Sequence, residues 1–253
     1  MASLAKSRFR VWLALCAMFL TSSPALAFPT PSFMGLGDLP GGVFDSIARA
    51  VSYDESVVVG VSNRSFDTTS QAFRWTAAEG MVGLNDLPGN LAKSDAQGVS
   101  GDGTVIVGGG SSSAACSACF EATKWEESTG PVGLGDLPGL SFESFANAAS
   151  YDGSVIVGRA RSASGIEAFR WTAATGIVGM GDLLGGGFGS EAFDVSADGS
   201  VIVGKGHSTA SDLFGTEAFR WTAATGMVGL GDLPGGDFDS SALSVSADGS
   251  VIV

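Results

Sequence analysis

Carboxylates recur at two fixed positions of this sequence, and side chains of this type bind metal ions or cap turns. The first set is Asp38, Asp86, Asp136, Asp182 and Asp232, and the second follows it by sixteen residues as Asp54, Asp102, Asp152, Asp198 and Asp248. Asp-Gly, which occurs in four copies of the second set, is typical of a tight hairpin turn. Turn chemistry therefore accounts for both sets. Calcium is the alternative for the second set, although no copy has the alternating aspartates of a calcium loop.

Basic side chains also recur, each directly before the tryptophan of its repeat. They are Arg74, Lys124, Arg170 and Arg220. One interpretation is a ring of cations that binds an acidic glycan. The favoured interpretation pairs each of them with a nearby carboxylate, because repeated charges in an acidic repeat serve each unit locally.

Two cysteines, Cys116 and Cys119, lie in a serine- and alanine-rich segment of variable length. In an exported chain they are expected to form a disulfide. A zinc site would need two more ligands, and His207 is the single histidine. His207 lies in another variable segment and is expected to be solvated. Since no Ser-His-Asp arrangement can be built on it, the sequence predicts no catalytic residue and no cofactor.

Charge and composition restrict the partners. Of 253 residues, 45% are hydrophobic and 15% are charged, so a buried core is easily formed. The formal net charge is −13. Because the first 27 residues carry three basic residues and no acidic one, the rest of the chain is more acidic still. Nucleic acids and anionic lipids need a positive surface, so neither is an expected partner.

Residues 1–27 have the pattern of a secretory signal peptide. Lys6, Arg8 and Arg10 precede an apolar run from Val11 to Leu20, which is too short to span a bilayer. A small-x-small cleavage site ends at Ala27. We therefore expect an extracellular, cell-surface or periplasmic protein with no membrane insertion of the mature part.

The rest of the chain is a tandem repeat of about 48 residues. The first-set aspartates are spaced by 48, 50, 46 and 50 residues, and all of the variation lies between a Val-Ile-Val-Gly run and the next tryptophan. Variation confined to one place marks a surface loop. The predicted units are 28–60 (partial), 61–108, 109–158, 159–204 and 205–253, with variable loops at 61–71, 109–121, 159–167 and 205–217.

Each unit is predicted to contain four short strands. In the fourth unit, Phe169 and Trp171 share one face of the first strand, residues 177–183 form the second, and Asp198-Gly199 turns the third into the fourth. Such units fit an all-β, β-propeller-like array of four-stranded antiparallel repeats, and a β-solenoid is the alternative. The predicted repeat core is Trp75, Trp125, Trp171, Trp221, Phe73, Phe169 and Phe219.

The repeat is out of phase at both ends of the sequence. The mature chain would enter it at the second strand, and it stops at Val253, where every earlier copy continues with glycine. We expect from this that the sequence is truncated at the C-terminus.

The repeat resembles the HAF repeat family of extracellular bacterial proteins. The resemblance is carried by Glu-Ala-Phe-Arg-Trp-Thr, by Gly-Met-Val-Gly-Leu-Gly-Asp-Leu-Pro and by Ser-Ala-Asp-Gly-Ser-Val-Ile-Val-Gly. The histidine of the family's His-Ala-Phe triplet is replaced here by Gln71, Glu121, Glu167 and Glu217. The resemblance implies export, and it implies no established enzymatic activity.

Two functional hypotheses follow. The favoured one is an exported, non-enzymatic scaffold that binds a surface or extracellular ligand, glycan or protein, through its variable loops. The alternative is an enzyme acting on extracellular polysaccharide, but nearly identical units offer no unique pair of carboxylates for glycoside hydrolysis.

Overall fold

The structure, a computed structural model, describes residues 34–41, 44–63, 69–89, 92–115, 119–139, 141–210 and 215–253. The predicted signal peptide, Cys116 and parts of three variable loops lie outside these residues. The chain divides into two units, Met1–Gly35 and Leu36–Val253, and the architecture below is that of the second.

The described residues contain sixteen strands and no helix. In chain order they are β1 (Ser46–Val51), β2 (Val58–Asn63), β3 (Ser70–Thr76), β4 (Gly80–Gly83), β5 (Ser94–Val99), β6 (Val105–Gly110), β7 (Glu121–Glu126), β8 (Gly130–Gly135), β9 (Ser144–Ala149), β10 (Ile156–Arg161), β11 (Ile166–Thr172), β12 (Gly176–Gly179), β13 (Ser190–Val195), β14 (Ile202–Gly206), β15 (Glu217–Thr222) and β16 (Gly226–Gly231). They form four antiparallel four-stranded sheets, each made of consecutive strands. The all-β prediction is confirmed.

The sheets, numbered 1 to 4 along the chain, are out of phase with the predicted units. Each sheet takes its first two strands from one unit and its last two from the next, so every variable loop joins the two central strands of a sheet. The strand predicted at 177–183 is shorter, because β12 ends at Gly179 and Gly181 has a φ of 79° that leaves the extended conformation.

Successive sheets pack face to face, and the Val-Ile-Val strand is buried on both faces. Between sheets 2 and 3, Val105 and Val107 of β6 meet Ile156 of β10 and Phe169 of β11. On the other face of β10, Val155 and Val157 belong to the next cluster with Ile202 and Phe219. A single sheet cannot bury both faces, so this packing holds the array together.

Residues 240–253 continue the array beyond sheet 4. Val245 and Ile252 form an isolated antiparallel bridge, and with Ala242 they pack against Val201 and Val203 of sheet 4. They correspond in sequence to the first and second strands of the preceding sheets.

Each sheet has two different ends. At the turn end, turns that contain the second-set aspartates join the first and second strands, and turns that end in glycine join the third and fourth. At the loop end lie the variable loops and the linkers to the next sheet, which contain Asp-Leu. The turn end is uniform, with φ near 70° at Gly103, Gly153, Gly199 and Gly249, and Glu55 takes the same conformation at 62°.

Candidate functional site

The first-set aspartates hold the base of the loop end. Asp136 accepts hydrogen bonds from the backbone N–H of Glu143 in the linker (2.7 Å) and of Arg161 at the end of β10 (3.2 Å). Asp182 likewise accepts one from the N–H of Gly189 (2.8 Å). Burial raises the pKa of both carboxyls. One side chain therefore ties each linker to the variable loop beside it.

Buried serines at the start of the first strands also hold the loop end together, a role that the sequence did not predict. Ser144 donates to the carbonyl oxygen of Gly135 (2.6 Å) and accepts from the N–H of Ala122 in sheet 2 (2.9 Å). Ser190 makes the same two contacts one sheet later. A serine eight residues after every first-set aspartate was the available signal. Except for Ser46 in the first sheet, each such serine accepts a hydrogen bond from the preceding sheet, namely Ser94, Ser144, Ser190 and Ser240.

The first cleft of the loop end lies between sheets 3 and 4 and has a volume of about 140 Å³. Its lining includes Ile166, Glu191, Lys205, His207 and Thr216. Four of these five belong to variable loops 159–167 and 205–217. His207 is half-buried rather than solvated, because its Nδ1 is within 3.0 Å of the carbonyl oxygen of Gly215.

A second, smaller cleft of about 40 Å³ lies between sheets 2 and 3 and shares Ile166 with the first. Phe120 and Phe145 form part of its wall, with their rings edge to face at 5.6 Å. Arg159 and Glu143 supply its charges. The two clefts therefore follow one another across three sheets.

Three cationic side chains lie over aromatic rings at the loop end. Lys93 lies 4.8 Å from the ring centre of Phe120, Arg159 lies 6.0 Å from that of Phe145, and Lys205 lies 5.5 Å from that of Phe193. Such contacts hold a cation by electrostatic attraction while leaving it open to a ligand.

Two of the three cations differ in their pairing. Arg159 forms an ion pair with Glu191 at 3.2 Å, and Glu191 also accepts from Asn147. Lys205 forms no ion pair within the part of the chain that the structure describes. The first cleft therefore offers an ammonium group that forms no ion pair, beside Glu191 and within electrostatic reach of Asp239.

The second-set aspartates lie at the opposite, turn end. Hydrogen bonds from the hydroxyl of Ser200, from its N–H (2.9 Å) and from Ser196 Oγ (2.7 Å) lower the pKa of Asp198 to about 2. Equivalent bonds are made by Asp54, Asp102, Asp152 and Asp248. Among the described residues, no three His, Cys, Asp or Glu side chains come together in a way that could hold a metal ion.

Within the described residues, two of the four recurring basic residues pair with a nearby carboxylate, as the favoured interpretation predicts, and two do not. Arg74 pairs with Glu79 at 2.6 Å, and Lys124 pairs with Glu126 at 2.7 Å while lying 5.1 Å from the ring centre of Trp171. Arg170 and Arg220 have no ion pair among the described residues. Two glutamates of the Glu-Ala-Phe motif hold the backbone of the next strand or linker: Glu167 and Glu217 accept hydrogen bonds from the N–H groups of Gly181 and Gly231.

The predicted core aromatics lie between the sheets. Phe73, Phe169 and Phe219 have no exposed surface, and Trp125 is 3% exposed. The other three predicted core tryptophans are half-buried, namely Trp75, Trp171 and Trp221. Cys119 is disulfide-bonded. Since Cys116 lies outside the described residues, the pairing of these two cysteines stays a prediction.

Comparison with known proteins bears on the fold alone. No family model matches the sequence, and no curated protein matches it. A protein assigned as TolB from Agrobacterium tumefaciens has a similar structure, with a TM-score of 0.51 and 15% identity over 79% of this chain and 69% of that chain. The fold is β-propeller-like. Hydrazine synthase from Kuenenia stuttgartiensis gives a TM-score of 0.42 and 12% identity over 73% of this chain and 49% of that chain.

The part of the chain that the structure describes contains no helix that could span a membrane.

Proposed function

We propose that this protein is an exported, non-enzymatic scaffold that binds an extracellular or cell-surface ligand at its loop end. The observation that carries the proposal is the position of the clefts. Both are lined by variable-loop residues, including Ile166, Arg159 and Lys205, where the repeats differ. Differences between otherwise uniform repeats are the natural source of specificity on such a scaffold.

The charges of the clefts favour a ligand that carries anionic groups. Lys93, Arg159 and Lys205 each lie over an aromatic ring at the loop end, and Lys205 forms no ion pair among the described residues. Phe120 and Phe145 beside them offer apolar contact. An acidic glycan or an acidic protein segment would complement these cations.

Export is supported by the pattern of residues 1–27, and membership of the HAF repeat family by the repeated motifs. A reporter fused behind residues 1–27 should leave the cytoplasm, and Lys6, Arg8 and Arg10 should be needed for this. Retention of the reporter in the cytoplasm would contradict the export proposal.

The alternative is an enzyme acting on extracellular polysaccharide, with Glu143 and Glu191 as the carboxylates of the clefts. Glu191 is held by Arg159 and Asn147, which suits a structural carboxylate better than a proton donor. A glycan and peptide array, together with a hydrolysis screen on the same ligands, separates the two functions.

Binding without turnover is the expected result. Lys205→Ala and Arg159→Ala should each weaken binding by roughly tenfold. Arg74→Ala, which removes the same charge from sheet 1 and from a residue that lines neither cleft, is the matched control and should bind normally. Released sugar would overturn the non-enzymatic proposal, and equal loss in the control would overturn the placement of the site.

A further inference from the structure

The two tyrosines of the chain, Tyr53 and Tyr151, are 98 residues apart and meet at the turn end. Their ring centres are 6.1 Å apart and their planes are inclined by 68°. They occupy the same repeat position in sheets 1 and 3. Two walls at this angle form an open corner on the surface.

The contact depends on the glycine of the sheet between them. Gly101 holds the equivalent position in sheet 2, and a β-carbon there would lie 2.3 Å from the Tyr151 ring. The N–H of Tyr53 donates to the carbonyl oxygen of Gly101 (3.0 Å), and the N–H of Asp102 donates to that of Tyr151 (3.0 Å). These hydrogen bonds fix the backbone from which both rings extend.

The fold does not require tyrosine at this position. Ala197 and Ala247 hold it in the later repeats, and the same ladder of backbone hydrogen bonds continues through them. Yet Tyr53 is 77% exposed and Tyr151 is 48% exposed. Exposed aromatic side chains that the fold does not require are typical of binding surfaces.

The electrostatic surroundings select the charge of the ligand. The aspartate of each turn directly follows this position, as Asp54, Asp102 and Asp152. Hydrogen bonds from Ser52 and Ser56 lower the pKa of Asp54, and those from Ser154 and Ser150 lower the pKa of Asp152. These groups stay ionised at neutral pH, and an anion would be repelled.

We propose that Tyr53 and Tyr151 form a binding site for an organic cation of the alkylammonium class. The ring faces attract such a cation through their quadrupoles, and the aspartates add long-range attraction. The corner is open to solvent, so affinity for a small ligand is on the order of millimolar. This site is independent of the clefts at the loop end.

Tyrosine-selective NMR labelling tests the proposal, because both labelled rings lie at the site. Choline is the probe, and its neutral isostere 3,3-dimethylbutan-1-ol is the matched control. Choline should shift both ring signals and bind roughly tenfold more tightly than the isostere. Equal affinity for the two compounds, or no shift, would overturn the proposal.

Variants separate binding from folding. Tyr53→Ala and Tyr151→Ala should abolish choline binding without lowering the thermal midpoint, since alanine is native at this position in later repeats. Tyr151→Phe keeps the ring and should keep binding. Unchanged choline binding in both alanine variants would also overturn the proposal. Sedimentation with phosphatidylcholine vesicles would show whether a lipid headgroup supplies the cation, and its absence would indicate a soluble ligand.

Discussion

Gly158 of β10 lies so close to β9 that a β-carbon on it would be 2.0 Å from the carbonyl oxygen of Phe145. The close approach occurs where the register between the two strands shifts, between Val157 and Gly158. Gly60, Gly108 and Gly204 make the same approach in the other sheets. The glycine that ends each Val-Ile-Val-Gly run is therefore required by backbone proximity.

Replacing this glycine should destabilise the protein strongly. Gly158→Ala forces the backbone of β9 to move and is expected to lower the free energy of unfolding by about 1–3 kcal/mol. Denaturation with urea measures the change. Gly187→Ala is the control, because a β-carbon there meets nothing within 4 Å. Similar losses in both variants would contradict the role of close approach.

The buried serines should be nearly as sensitive. Ser144→Ala leaves the carbonyl of Gly135 and the N–H of Ala122 without their partner, and two unsatisfied buried groups cost about 2–3 kcal/mol. The exposed Ser164→Ala is the matched control in the same denaturation experiment. A loss below about 0.5 kcal/mol for Ser144→Ala would show that water replaces the hydroxyl.

Much of this fold was accessible from the sequence, because the repeat amplifies weak signals. Residues with one local cause were predicted well, such as Asp198 in its turn and Ile202 in a strand buried on both faces. The grouping of strands into sheets was not, because antiparallel pairing across a variable loop leaves no trace in the spacing.

Features that depend on neighbouring sheets were also missed. Ser144 looked like any polar residue until its partners in sheet 2 were known. His207 appeared to be a loop residue, yet Gly215 holds it at the edge of a cleft. The meeting of Tyr53 and Tyr151 needs the packing of three sheets, which no local pattern records.

The turn at Asp198 should make stability depend on acid pH. Its folded-state pKa of about 2 lies below the unfolded value of about 3.9. Its contribution is therefore fully present above about pH 4 and is lost as the pH falls through 2. Asp198→Ala should lower the thermal midpoint by about 2–4 °C at pH 7 and by nothing below pH 2.

A carboxylate without these bonds serves as the control for Asp198. Asp237 is exposed, and Asp237→Ala should change the midpoint little at either pH. A deficit of Asp198→Ala that persists at pH 1.5 would show that the carboxylate charge is not the cause.

Removal of calcium should leave stability unchanged. Oδ1 of Asp102 accepts from Ser100 Oγ and from the N–H and hydroxyl of Thr104, so this oxygen is already satisfied. Thermal unfolding with a chelator or with added calcium should give the same midpoint. A midpoint that rises with calcium, and that no longer does so in Asp102→Asn, would contradict this prediction.

Asp95 of β5 should lower the stability of the folded protein at neutral pH. Burial raises its pKa, which the charges of Arg49, 3.6 Å away, and Lys93 only partly offset. Its Oδ1 is buried with no hydrogen-bond partner. The pKa of Asp95 is higher in the folded than in the unfolded state. Its ionisation therefore destabilises the folded protein as the pH rises above about 3.9. Asp95→Asn stays neutral and should be more stable than the wild type at pH 7.

The pH dependence of this gain identifies its cause. The midpoint of Asp95→Asn should exceed that of the wild type by up to about 3 °C at pH 7, and the two should converge below about pH 3.9. Asp237→Asn removes an exposed charge and should gain little, which controls for the lower net charge of the variant. A loss of stability in Asp95→Asn at pH 7 would mean that the ion pair with Arg49 outweighs desolvation.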